Sequence, residues 1–123
     1  MRDAMQPIVM VVDDDEAVRD SLQFLLETAG FDVETFASAC QYLHAAHSER
    51  PLRLLIDQHM PKVSGLDLLR RLRDMGDHSR VALMTGSPSA ELTRMAMALG
   101  VSEVMEKPLQ HDALFRFIQR PCV

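Results

Sequence analysis

The chain has 123 residues, of which 47% are hydrophobic and 25% charged, and its formal net charge is −5. This length and composition predict one globular domain with a single core. The acidic balance, with a pI of about 5.4, argues against a general electrostatic grip on nucleic acid or an anionic membrane surface. The longest apolar runs are far shorter than the roughly 18 residues that suggest a membrane span.

Cysteine usage and the N-terminal residues bear on the compartment in which the protein works. Cys40 and Cys122 lie far apart and form no CxxC pair, which disfavours a disulfide framework or a zinc site. Acidic residues on both sides of the first apolar run exclude a credible signal peptide. We therefore expect a cytoplasmic protein with reduced thiols.

The first half of the chain alternates strand-like and helix-like patterns. The continuous β-branched run Ile8–Val12 predicts a strand covered on both faces, and an amphipathic helix follows it. The segment Phe31–Phe36 alternates apolar and polar residues, which predicts an edge strand. Ser38 and Gln41 have the spacing of a capping box, so a second helix is expected to run from there to about His47.

The second half continues the same alternation. A third strand is predicted at Leu52–Ile56 and a fourth at Val81–Met84. The helix between them is expected to bury one stripe of residues: Leu68, Leu69, Leu72 and Met75. Ser87 is predicted to cap the fourth helix with Pro88 at its first position, and a short strand at about 102–106 precedes a fifth helix. This order predicts an α/β domain whose layered sheet carries helices on both faces.

Polar residues follow four of the predicted strands, at the point where each strand ends. Asp13 and Asp14 follow the first strand, Asp57 the third, Thr85 the fourth and Lys107 the fifth. Open parallel sheets bind their ligands at the carboxyl ends of the strands, so we expect these side chains to converge. Three carboxylates, a hydroxyl and an ammonium suit a divalent metal ion and a phosphoryl group.

The chemistry of these groups predicts phosphoryl transfer to a carboxylate. Asp57 is the candidate nucleophile, because carboxylates accept phosphoryl groups as mixed anhydrides. Mg²⁺ prefers octahedral oxygen coordination, and Asp13, Asp14, Asp57 and a backbone carbonyl just after it supply oxygen ligands; Mn²⁺ is an alternative ion. Lys107 and Thr85 offer a charge and a hydroxyl donor to the phosphoryl oxygens.

Four motifs at these strand ends carry a resemblance to a known family. Residues 11–16 (VVDDDE), 57–61 (DQHMP), 84–86 (MTG) and 106–108 (EKP) resemble the receiver domain of two-component response regulators, in order and in spacing. The loop from Met60-Pro61 to Ser64-Gly65 and the Thr-Gly pair are most similar to receivers of nitrogen-fixation and LuxR-type transcription regulators.

The resemblance implies the fold and the activity. The fold is a flavodoxin-like, doubly wound three-layer sandwich, with a five-stranded parallel sheet in order 2-1-3-4-5 and five helices, as a single receiver domain over residues 1–123. Asp57 is the implied phosphoacceptor from a sensor histidine kinase or a phosphotransfer protein. Such a domain catalyses only its own phosphorylation and dephosphorylation, so no enzyme acting on a separate substrate is expected.

The resemblance also assigns roles to other residues around Asp57. Asp13 and Asp14 hold Mg²⁺ together with the main-chain carbonyl of His59, and Thr85 is the switch hydroxyl.

Lys107 binds the phosphoryl group, and the peptide bond between Lys107 and Pro108 is expected to be cis. His59 and Ser87 flank the phosphoryl group and tune its lifetime. Neither side chain positions water as well as a carboxylate or an amide would, which favours a moderately long-lived phosphoryl state.

One departure from the family concerns the output of the switch. Many receivers carry an aromatic residue three positions before the lysine, where this chain has Val104, a β-branched residue with little rotamer range. Phosphorylation is expected to bias the surface of helix 4, strand 5 and helix 5. Met97, Val104 and Phe115 are predicted there as contacts with a downstream protein or with a second copy, without direct nucleic-acid or membrane contact.

Three alternatives stay open on the sequence. The chain ends soon after the fifth helix, which favours a stand-alone receiver, whereas a receiver excised from a longer transcription regulator is the runner-up. A haloacid-dehalogenase-type phosphatase would instead use Asp13 as nucleophile, with Asp15 completing an Asp-x-Asp motif. Asp13 and Glu16 also have the spacing of a helix cap without any metal-binding role.

Overall fold

The computed structural model describes residues 6–45 and 51–120. Five strands and five helices alternate along these ranges, as predicted. Their bounds are β1 Ile8–Val12, α1 Glu16–Thr28, β2 Asp32–Phe36, α2 Ala39–His44, β3 Leu52–Asp57, α3 Gly65–Asp74, β4 Arg80–Thr85, α4 Ala90–Ala98, β5 Glu103–Glu106 and α5 His111–Gln119. Within the described residues, no helix is long and apolar enough to cross a membrane.

The strands form one parallel sheet in the order β2-β1-β3-β4-β5. The predicted fold class and strand order are therefore confirmed. Val12 pairs with Ile56, Asp57 with Met84, and Thr85 with Glu106. This register aligns the carboxyl ends of β1, β3, β4 and β5 along one edge of the sheet, which is where parallel sheets bind ligands.

Side chains of alternate strand residues belong to two hydrophobic clusters, one on each face of the sheet. Met10 and Leu54 point into the cluster covered by α2, α3 and α4. Val11 and Leu55 point into the cluster covered by α1 and α5. Burial on both faces explains why β1 reads as a continuous apolar run rather than an alternating one.

The start of α4 differs from the prediction. The helix begins at Ala90, and the N-cap is Ser89, whose hydroxyl accepts a hydrogen bond from the backbone N–H of Leu92 at 3.0 Å. Ser87 is not the N-cap, and its backbone N–H donates to the Thr85 hydroxyl in the preceding turn. Ser89 has the extended backbone of an N-cap, with φ −147° and ψ 157°, so the helix begins two residues later than predicted.

Three further predictions of local structure need correction. Met75 is the C-cap of α3 and is 68% exposed, because the chain turns away at Gly76, which has a φ of 84°. Ser38 caps α2 as predicted, but the Gln41 side chain accepts from the N–H of Ala37 rather than from that of Ser38. α2 ends at His44, with Ala45 in extended conformation as its C-cap, so the helix is shorter than predicted. The predicted end near residue 47, and Cys122, lie outside the described residues.

Candidate functional site

Backbone hydrogen bonds carry the sheet ladder one residue past the strand ends and thereby fix the site. The N–H of Asp13 donates to Phe36 at 3.0 Å, and the N–H of Lys107 donates to the carbonyl of Thr85 at 2.8 Å. Gln58, directly after Asp57, donates its N–H to Met84 at 2.8 Å. The site residues therefore stand on ladder positions rather than on free loops.

The carboxylates and the ammonium predicted to converge do meet at this edge. The Lys107 ammonium lies 2.7 Å from Oδ2 of Asp13 and 3.2 Å from Oδ1 of Asp57. Asp13 is 0% and Asp57 3% exposed, whereas Asp14 is exposed. One carboxylate oxygen from each of these three aspartates lies within 4.8 Å of the others. The predicted convergence of the three carboxylates and the ammonium is confirmed.

Electrostatics at the site leave a surplus of negative charge. Burial raises the pKa of the Asp57 carboxyl, and the charge of Asp13 raises it further, which outweighs the opposing effects of Lys107 and of a backbone hydrogen bond from His59. Burial would lower the pKa of Lys107, but the hydrogen bonds and charges of Asp13 and Asp57 raise it above its ordinary value. One ammonium thus neutralises only one of two buried carboxylate charges, so a further cation would bind favourably here.

The three aspartates at the end of β1 have different tasks. Asp15 is the N-cap of α1, where it accepts from the N–H groups of Ala17 and Val18. The capping role suggested for Asp13 therefore belongs to Asp15. Asp13 uses Oδ1 to accept from the N–H of Asp15 and Oδ2 to hold Lys107, and Arg19 binds its carbonyl at 2.8 Å. A carboxylate anchored at both oxygens suits a ligand better than a nucleophile.

Thr85 ends β4, and its side chain is fully buried. Its hydroxyl oxygen accepts from the N–H of Ser87 at 3.0 Å and lies 3.0 Å from Nε2 of His59. The sequence placed His59 and Ser87 beside the phosphoryl position, but it did not predict the contact between His59 and Thr85. The only signal was that both residues follow neighbouring strands, 26 positions apart.

Gly65 is a site-supporting residue that the sequence analysis missed. A Cβ atom at this position would lie 2.7 Å from the carbonyl oxygen of Asp57 and 2.7 Å from Cδ1 of Leu83. The N–H of Gly65 donates to the carbonyl of Gln58 at 3.1 Å, and the Gln58 side chain accepts from the N–H of Leu66 at 2.9 Å. Glycine therefore lets the start of α3 pack directly under the Asp57 loop.

The remaining predicted residues lie on β5, α4 and α5. The peptide bond between Lys107 and Pro108 is cis, as expected. Met97 is 51% exposed on α4, whereas Val104 is half-buried against the core cluster under α4. Phe115 is half-buried, and its ring stacks with that of Phe31 at a centroid distance of 6.3 Å. Phe115 is thus partly committed to the α1 side of the core, and the contact role of these three residues stays a prediction.

The donor set fits the metal that the acidic cluster implies. Asp13, Asp14 and Asp57 offer only carboxylate oxygens, the ligand type that Mg²⁺ and Mn²⁺ prefer over nitrogen or sulfur. Asp14 is exposed, so a hydrated ion that keeps several waters can reach the buried pair from solvent. These observations support an oxygen-ligated divalent cation site at the end of β1 and β3.

Comparison with known proteins places this site in a family. Residues 9–119 match the family described as the response regulator receiver domain. The transcriptional regulatory protein FixJ of Azorhizobium caulinodans is 40% identical over 111 residues, which cover 90% of this chain and 53% of that protein. FixJ of Bradyrhizobium diazoefficiens is 37% identical over 90% of this chain and 54% of its own length.

Solved structures agree with the sequence matches. The structure of the response regulator StyR superposes with a TM-score of 0.84 at 37% identity, over 92% of this chain and 57% of that one. The FixJ-N crystal structure gives a TM-score of 0.82 at 33% identity, over 100% and 99% of the two chains. This chain spans about half the length of the curated relatives it matches. It belongs to the response regulator receiver domain family.

Proposed function

We propose that the protein is a Mg²⁺-dependent phosphoryl acceptor that takes its phosphoryl group on Asp57 from a phosphohistidine of a sensor histidine kinase or a phosphotransfer protein. The observation that carries this proposal is the position of Lys107, whose ammonium lies within 3.2 Å of both Asp57 and Asp13. A cation held between a nucleophilic carboxylate and a metal-binding carboxylate is placed to receive an anionic group. The phosphatase alternative gains no support from Asp13, both of whose oxygens are engaged.

The transfer step forms one bond and breaks one. An oxygen of the Asp57 carboxylate attacks phosphorus, the phosphorus–nitrogen bond to the donor imidazole breaks, and the nitrogen keeps the electron pair. Asp13, Asp14, Asp57 and the backbone carbonyl of His59 would hold Mg²⁺. When bound, Mg²⁺ neutralises negative charge on the phosphoryl oxygens in the loose transition state.

Lys107 and Thr85 then bind the phosphoryl group on Asp57. The Lys107 ammonium exchanges a carboxylate partner for a phosphoryl oxygen, which carries more negative charge. The Thr85 hydroxyl donates to a second phosphoryl oxygen. Because Thr85 ends β4, its movement changes the chain that leads into α4.

The proposed output is a protein-binding switch on the surface of α4, β5 and α5. A downstream protein or a second copy of this chain is its proposed partner, with Met97 as the most exposed of the predicted contacts. The curated relatives named FixJ are transcriptional regulators that this chain matches over about half of their length, which supports the second candidate, a receiver acting within a longer transcription regulator. The chemistry at Asp57 is the same in both cases. We propose that the protein works in the cytoplasm.

Incubation with acetyl phosphate tests the transfer step without a cognate kinase. Intact-mass measurement should detect one added phosphoryl group in the wild type with Mg²⁺, and none with EDTA or in Asp57→Asn. Asp20→Asn, an exposed change on α1, is the matched control and should be labelled like the wild type. Equal labelling of Asp57→Asn would overturn the proposal.

A further inference from the structure

The contact between His59 and Thr85 is not explained by metal binding or by phosphoryl transfer. His59 would contribute to the metal site through its backbone carbonyl, which leaves its imidazole without a task there. That imidazole is the exposed partner of a 3.0 Å contact with the hydroxyl oxygen of Thr85, whose side chain is fully buried. The contact joins the loop after β3, the strand that ends at the acceptor, to the last residue of β4.

Hydrogen-bond accounting shows how this contact competes with the hydrogen bond that Thr85 would donate to the phosphoryl group. A threonine hydroxyl has one donor and two acceptor sites, and the N–H of Ser87 already occupies one acceptor site of Thr85. If the hydroxyl donates to Nε2 of His59, its only proton is taken. If Nε2–H donates instead, the imidazole fills the last acceptor site and the hydroxyl proton stays free for a phosphoryl oxygen. The contact therefore competes with the switched state in the tautomer whose Nε2 accepts a hydrogen bond from the hydroxyl.

We propose that the His59 imidazole is a positioning residue whose Nε2 accepts a hydrogen bond from the Thr85 hydroxyl and retains that hydroxyl in its unphosphorylated position, so that phosphorylation must exchange this contact for one to the phosphoryl group. The inference rests on the proposed function of Thr85 as the switch hydroxyl. A side chain that stabilises only the resting position lowers the affinity of the domain for a phosphoryl group by its differential contribution to the two states.

A double-mutant cycle with a phosphoryl analogue tests the inference. Beryllofluoride with Mg²⁺ is titrated into the ¹⁵N-labelled protein, and its affinity is read from amide chemical shifts. His59→Phe removes the ring nitrogens at similar size, and Thr85→Val removes the hydroxyl at similar shape. The four proteins are the wild type, each single variant and the double variant, and the cycle isolates the pairwise contribution.

The expected result is specific to the pair. His59→Phe should bind beryllofluoride roughly three- to tenfold more tightly than the wild type, the weight of one net hydrogen bond. In the Thr85→Val background the same change should leave the affinity unaltered. His59→Gln, whose amide keeps a hydrogen-bonding group, should fall between the wild type and His59→Phe.

Other outcomes contradict the inference in distinguishable ways. Equal affinity of the wild type and His59→Phe, or weaker binding by His59→Phe, would overturn the positioning role while leaving phosphorylation of Asp57 in place. The same gain in the wild-type and Thr85→Val backgrounds would mean that His59→Phe eases access of beryllofluoride to Asp57 without involving the Thr85 hydroxyl. That result would also overturn the inference. Failure of the wild type to bind beryllofluoride would remove the proposed function and this inference together.

Discussion

Lys107 acts as an internal counter-ion at the end of β5. Its ammonium contacts Oδ2 of Asp13 at 2.7 Å, and Asp13 would also be a ligand of the proposed Mg²⁺. The same charge offsets the repulsion between Asp13 and Asp57, both buried. Lys107 therefore stabilises the metal-free site and competes with the metal ion for it.

Replacement of Lys107 separates these two effects. Lys107→Met should lower the free energy of unfolding in EDTA by about 3 kcal/mol, because it leaves buried carboxylates without their cation. It should also raise Mg²⁺ affinity roughly tenfold, since a competing unit charge near the ion is lost. Urea denaturation and a Mg²⁺ titration measure the two quantities. Lys62→Met, at an exposed position, should change neither, and unaltered Mg²⁺ affinity in Lys107→Met would contradict the competition.

The raised pKa of Asp57 predicts a pH dependence of stability in EDTA. Because the folded protein binds this proton more strongly than the unfolded chain, the stability due to Asp57 is present below its ordinary pKa of 3.8 and is lost as the pH rises through the folded-state pKa.

Asp57→Asn cannot titrate and should therefore be more stable than the wild type at pH 7, by about 1–2 kcal/mol. The difference should shrink as the pH falls towards about 4. Urea denaturation across this range measures it, and Asp20→Asn is the exposed control. A wild type that is more stable than Asp57→Asn at pH 7 would show that Lys107 outweighs burial and Asp13.

At the scale of single elements, local signals predicted most of the fold and long-range contacts escaped prediction. The strand β1 and the end of α3 at Gly76 are determined by residues adjacent in the chain, so the sequence was sufficient to predict them. The N-cap of α4 was misplaced because Ser87 and Ser89 both precede a helical pattern, and the hydrogen bond that the Ser89 hydroxyl accepts from the N–H of Leu92 decides between them.

The corrected helix start gives a stability prediction. Ser89→Ala should lower the free energy of unfolding by about 1 kcal/mol, because the N–H of Leu92 loses its acceptor. Ser87→Ala should change it by less than about 0.5 kcal/mol, since the bond to Thr85 uses the backbone N–H of Ser87. Thermal or urea denaturation compares the two, and a larger effect at Ser87 would restore the original assignment.

The close packing of α3 under the loop that follows Asp57 gives a second stability prediction. Gly65→Ala should destabilise the fold by about 2 kcal/mol, because the new Cβ meets the backbone of Asp57 and the side chain of Leu83 at 2.7 Å. It should also slow acetyl phosphate labelling, since the acceptor loop must shift. Gly86→Ala is the matched control, with no atom within 4 Å of its Cβ, and should leave stability nearly unchanged. Equal effects of the two changes would refute the packing argument.

At the scale of the whole molecule, sheet topology turns five separate sequence positions into one site. Strand order 2-1-3-4-5 sets β1 beside β3 and β3 beside β4, so residues between 13 and 107 meet at one edge. The sequence predicted this convergence because each of these residues lies at the carboxyl end of a predicted strand. It could not predict distances, and hence missed the packing of Gly65 and the contact of His59 with Thr85, which depend on loop conformation.

Chemical trapping of the phosphoryl group locates the acceptor. After incubation with acetyl phosphate and Mg²⁺, borohydride reduces an aspartyl phosphate to a stable alcohol, and peptide mass mapping identifies the residue. We predict that Asp57 alone is converted, and only when Mg²⁺ is present. Conversion of Asp13, or conversion of Asp57 that is equal in EDTA, would contradict a metal-assisted phosphoryl acceptor at the end of β3.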